Sequence, residues 1–153
     1  MRSFFLVLFL LSSTPALTKD KPALSSYDAA LAERLDADER GMKRYVLVML
    51  TTGPNSELPK SEQTELFSGH MTNIGRLADE GKLIVAGPFA KNDRNYRGLF
   101  IFDVTTEEEA KALLASDPAV KAGVLSFETY GWYGSAALQE TYAIHQRIDK
   151  SSH

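Results

Sequence analysis

His70 is the side chain in this sequence best placed to do chemistry. On a helical wheel it falls among Leu66, Phe67, Ile74 and Leu77, in the middle of an apolar stripe, so the helix that carries it must aim the imidazole at the interior. Such a histidine can be structural, donating one buried hydrogen bond, or it can be a general base if a carboxylate reaches it. Asp117 is the natural partner, because continuing the wheel of the helix before it places it on the stripe of Ala110, Leu113 and Leu114. Pro118 pushes Asp117 out of the helical region, and an Asp-Pro pair also starts turns with its carboxylate on nearby backbone N–H groups. Both roles stay open. Where the two side chains meet, the carboxylate fixes the ring's tautomer and strengthens the far nitrogen as a proton acceptor, against the opposing effect of partial burial. The product is a general base able to work near neutral pH.

Weaker candidates surround this pair. Asn73, at the edge of the same stripe, can hydrogen-bond a ligand or cap the core. Gly87 and Pro88 end a strand beside the helices and would let backbone N–H groups approach a ligand, or form an ordinary turn. Trp132, between Tyr130 and Tyr133, can wall a pocket or serve as core or interface. Lys91, Arg94 and Arg97 make a basic loop, either solvated or anion-binding. His145 and His153 show no metal-ligand spacing with His70, there are no cysteines, and there is neither a phosphate-binding glycine loop nor a nucleophile elbow. No cofactor or metal is expected.

These residues need a scaffold, and the pattern supplies one. Residues 44–51, 82–87, 97–104 and 123–130 are β-rich and bounded by Gly, Pro and Asn. A helix capped at Ser61 runs to Gly81, and a second opens with the capping box Thr106 to Glu109 and ends near Ser116. The order is βαββαβ, a ferredoxin-like α+β domain with a four-stranded antiparallel sheet and both helices on one face. Residues 19–42 are a lead-in strap, with a short helix capped by Ser25 or Ser26 and ended by Gly41; residues 136–148 are a terminal helix.

That arrangement leaves one sheet face without helices. Yet the strands are apolar on both sides: Tyr45, Leu47 and Met49 alternate with Val46, Val48 and Leu50, and Leu99 and Ile101 with Phe100 and Phe102. A half-exposed sheet should alternate apolar with polar. A second copy packed face to face is the favoured cover, with the terminal segments as the alternative.

Residues 1–18 stand apart from the domain. Arg2, the apolar run 4–11 and a small, polar stretch broken by Pro15 have the layout of an export signal, cleaved near Ala16 or Thr18; a buried terminal strand or helix is the competing explanation. No cysteine follows to take a lipid, so a periplasmic or secreted product without a membrane anchor is expected. With 17 basic against 20 acidic residues and no basic stripe, nucleic acid is a poor partner. A single core is what 153 residues accommodate.

His70, the stretch 78–88 ending in Gly87-Pro88, the Glu107–Glu109 helix start, Asp117-Pro118 and the aromatic close at Trp132 together resemble the YCII-related (YciI-like) domain, over residues 43–133. The resemblance implies a dimeric α/β barrel with a paired His and Asp in a cleft, roles that fall here to His70 and Asp117. Relatives on that fold include isomerases and dehalogenating lyases of small oxygenated ring compounds. Many members carry an Arg three residues before the His, where this chain has Phe67, which removes an anion clamp from the helix. The expectations are an isomerase or lyase using a His-Asp general base, or a protein of the cell envelope that binds a small ligand, or serves structurally, without turnover.

Overall fold

In the computed structural model, which describes residues 26–150, the apolar run 45–50 becomes a central strand. Strand β1 (Met42–Thr52) pairs antiparallel with β3 (Tyr96–Phe102) on one side and β4 (Leu125–Ser135) on the other, and β2 (Leu83–Pro88) flanks β3. The order β2-β3-β1-β4 is that of the ferredoxin-like fold. Pro88, which has no N–H to give a ladder, sits on an edge strand as its chemistry requires.

Helices α2 (Lys60–Asp79) and α3 (Glu107–Leu114) cover one face. Val46, Val48, Leu50, Phe100 and Phe102 meet Leu77, Ala110 and Leu114 there in one core cluster. Each large side chain so buried stabilises by roughly 1.5–3 kcal/mol before entropy is counted. The capping box is present: Thr106 accepts from the Glu109 N–H, and Glu109 reaches back to the Thr106 backbone. Gly81, with φ of 68°, ends α2 in the left-handed turn that glycine tolerates best.

Several boundaries differ from the sequence expectations. Helix α2 begins at Lys60 behind Pro59, not at Ser61, because Gln63 Nε2 holds the preceding loop by donating to the Ser56 and Leu58 carbonyls at 3.1 and 2.8 Å. The lead-in helix α1 (Ala29–Arg34) is capped by Asp28, not by Ser25 or Ser26, and stops at Leu35, well before Gly41. Helix α3 stops at Leu114, and Asp117 caps a separate short helix α4 (Pro118–Lys121). The terminal helix is broken, a 3-10 turn over Ala136–Glu140 preceding α5 (Thr141–Ile148). The expected export signal lies outside the described residues.

The second sheet face is not wholly bare. The 3-10 turn lies across it and buries Tyr45, Ile84 and Ile101 with Leu138 and Trp132. Tyr45 Oη donates to the Ser135 carbonyl at 3.1 Å, and α1 straps the turn through Arg34 Nη1 to Glu140 at 2.8 Å and through Gln139 Nε2 to the Leu35 carbonyl. At the other end Leu47, Met49 and Leu99 are half-buried and Tyr130 is exposed. Past the turn, α5 passes beside β2 to the helix side, where Tyr142 Oη donates to Asp79 Oδ1 at 2.7 Å. No helix among the described residues is long and apolar enough to cross a membrane.

Candidate active site

His70 and Asp117 meet. His70 Nδ1 and Asp117 Oδ2 are 2.7 Å apart, and both side chains are buried. Gly69 makes the approach possible: a Cβ there would lie 2.9 Å from Pro118 Cγ, so only a glycine lets α2 and α4 close to this distance. Asp117 plays both roles that its sequence left open. Its Oδ1 caps α4 by accepting from Ala119 N at 2.9 Å and Val120 N at 3.3 Å, while Oδ2 takes the imidazole. One carboxylate thus serves the turn and the histidine together.

Burial opposes ionisation of the Asp117 carboxyl. The His70 hydrogen bond and charge, with the Val120 and Ala119 N–H groups, outweigh it and hold the carboxyl below its ordinary range. An ionised Asp117 only accepts, so Nδ1 carries the proton between them, and in the neutral form of the ring Nε2 is the acceptor. Nε2 makes no hydrogen bond, yet no buried side-chain nitrogen or oxygen among the described residues lacks a partner. It is therefore open to the space in front of it. Phe67 edge-on and Phe100 stacked, both with ring centroids 5.9 Å away, fix the plane of the imidazole.

That space is a cavity of about 890 Å³ between α2, β2 and α5, within the range of small-molecule sites. Its lining includes Leu50, Phe67, Ile74, Ala78, Leu83 and Phe100. Gly87 and Pro88 stand along it, and Gly98 keeps its own side thin, since a Cβ there would lie 3.0 Å from the Gly87 carbonyl oxygen. Arg97 also lines it, an arginine supplied from β3, whereas the helix presents Phe67.

Asn73 and Trp132 are placed differently. Asn73 stands behind the dyad, its Nδ2 donating to Asp117 Oδ2 at 3.4 Å while its Oδ1 accepts from Arg76 Nη2 at 2.8 Å. Arg76 is held in turn by Glu80 at 2.7 Å and Ser116 Oγ at 3.0 Å, so Asn73 orients the carboxylate and does not line the cavity. Trp132 is corrected outright. It lies on the other sheet face, its ring 6.0 Å from that of Tyr45 and folded over Gly134, because β4 runs on to Ser135 and the alternation of the strand turns position 132 outward. Gly69, Arg76, Tyr142 and His145 were not singled out by their spacing. A glycine in mid-helix directly before His70 was the one available signal.

Among the described residues no group of three or more His, Asp or Glu side chains could hold a metal ion. The dyad can take a proton from an acidic C–H or O–H placed against Nε2, with Asp117 stabilising the imidazolium that forms.

A model of the YCII-related domain matches residues 42–130, more than half of the chain. Among solved structures a similar chain is the 5-chloro-2-hydroxyhydroquinone dehydrochlorinase from Burkholderia phenoliruptrix AC1100, in complex with 2,5-dihydroxybenzoquinone. It is 20% identical, with 57% of this chain and 92% of that one covered and a TM-score of 0.43. No curated protein matches the chain.

Proposed function

The chain belongs to the YCII-related domain family, and from that premise we propose that it is an isomerase or lyase in which His70 removes a proton from a small, oxygen-bearing ring compound. One contact carries the proposal: His70 Nδ1 lies 2.7 Å from Asp117 Oδ2 and leaves Nε2 open toward an apolar cavity. A purely structural histidine has no need of a free nitrogen facing a space of this size. A ring with one carbonyl fits the lining, since its apolar edges face Leu50, Ile74 and Phe100. His70 takes the proton next to the carbonyl, the electron pair spreads onto the oxygen, and Asp117 holds the tautomer throughout.

The test uses 3-cyclohexen-1-one in D₂O, with deuterium entry beside the carbonyl followed by NMR. His70→Gln should slow protein-dependent exchange about 10²-fold or more, with circular dichroism unchanged. Binding of the ketone without any exchange would assign the cavity to ligand capture and end the catalytic proposal.

Two further features belong to this proposal. A second copy covers Leu47, Met49 and Leu99, which the chain's own segments leave half-exposed. Sedimentation should give twice the mass of the chain, and a monomer at high concentration would remove the dimer. The terminal pattern of Arg2, apolar run and Pro15 supports export, which mass spectrometry of the mature protein from its host checks through a start near residue 17 or 19.

A further inference from the structure

Helix α5 turns an unexpected face to the protein. Thr141, Tyr142, His145, Gln146 and Asp149 lie along the cavity, whereas Ile144 and Ile148 are 52% and 72% exposed. A surface helix held by packing does the reverse, with its apolar stripe inward and its polar side out. Nothing on α5 is buried, and Tyr142 Oη on Asp79 ties it to α2. A row of polar side chains turned toward a cavity with an apolar lining is what a ligand with polar atoms requires. His145 and His70 thereby share one cavity although they come from different helices. The helix also lies beyond residues 42–130, so this wall is an addition of this chain to the family domain.

We propose that His145 is the second proton-transfer group of the site and that the substrate is a small ring ketone whose double bond is moved by a proton shift; this rests on the general-base role of His70. His70 Nε2 takes the proton from the carbon between the carbonyl and the double bond, and the C–H electron pair enters a dienolate. His145, as the imidazolium, donates its proton to the far alkene carbon, and the dienolate closes to the conjugated ketone. Substrate and product have the same formula. His70 ends one proton richer and His145 one poorer, and exchange with water restores both.

The full chain is assayed on 3-cyclohexen-1-one for two signals, deuterium entry beside the carbonyl and ultraviolet absorbance of the conjugated product. Removal of the proton needs His70 alone, whereas conjugation needs both groups. His145→Gln should lower conjugation about 10²-fold more than it lowers deuterium entry, while His70→Gln loses both. Position 145 is exposed on a helix that buries nothing, so the variant keeps the fold. Conjugation unchanged in His145→Gln overturns the second group and leaves His70 as base. Equal loss of both signals in that variant overturns it too, by assigning His145 to binding. A wild-type protein that exchanges no deuterium ends the general-base proposal, and this one with it.

Discussion

The two faces of the sheet pose one problem and receive different answers. Strands β1 and β3 are apolar on both sides, so both faces need cover. On the helix side the cover comes from within the family domain, with α2 and α3 burying Val46, Val48, Phe100 and Phe102 almost completely. On the other side it comes from segments outside that domain, the strap α1 and the 3-10 turn, and these stop halfway. What remains of each face is where function can be built. On the helix side the remainder is the cavity between α2, β2 and α5. On the outer side it is the strip of Leu47, Met49 and Leu99.

The largest effect tests the asymmetry directly. Phe102→Ala, on the closed face at 0% exposure, should cost about 3–5 kcal/mol in urea unfolding. Leu99→Ala on the open strip should cost roughly 1 kcal/mol, and if a second copy covers the strip its cost should grow with protein concentration. Equal, concentration-independent losses at the two positions would abolish the distinction between the faces.

A smaller effect sharpens the helix side. Gly69→Val places a side chain where Pro118 Cγ already lies 2.9 Å from the Cβ position. Separating α2 from α4 should cost about 1–3 kcal/mol and lengthen the His70–Asp117 contact, read as loss of the downfield imidazole N–H signal. Retention of that signal would mean that the dyad does not depend on the close approach of the helices.

Much of this was legible because periodicity and punctuation carry local structure. The four strands, the capping box at Thr106 and the Gly81 stop are each written in consecutive residues, and the βαββαβ order follows from them. His70 could be aimed inward from its stripe, and Asp117 proposed as its partner. What spacing could not reveal was anything set by the path of the chain through space. Asp117 uses its two oxygens on two different elements, which no wheel shows. Trp132 was misplaced by a strand that runs five residues past its expected end at residue 130, to Ser135. His145 looked scattered because the 3-10 turn that redirects α5 around the β2 edge leaves no periodic mark.

The smallest effect concerns the charge that holds the dyad. Asp117 is pulled below its ordinary range in the folded chain, against burial, chiefly by His70 and then by two N–H groups. In the unfolded chain it titrates near its free value of ~3.9. A carboxyl depressed by folding adds stability that is fully present above the unfolded value and is lost as pH falls through the folded one. Wild type should therefore lose stability on acidification below about pH 4. Asp117→Asn keeps an oxygen for α4 but cannot ionise, so it is less stable than wild type near neutrality and closer to it in acid. Urea unfolding of both proteins across that range reads the gap directly. A gap that stays constant would mean that the contact holds by hydrogen bonding alone, and Asp117 would then orient His70 without lending it charge.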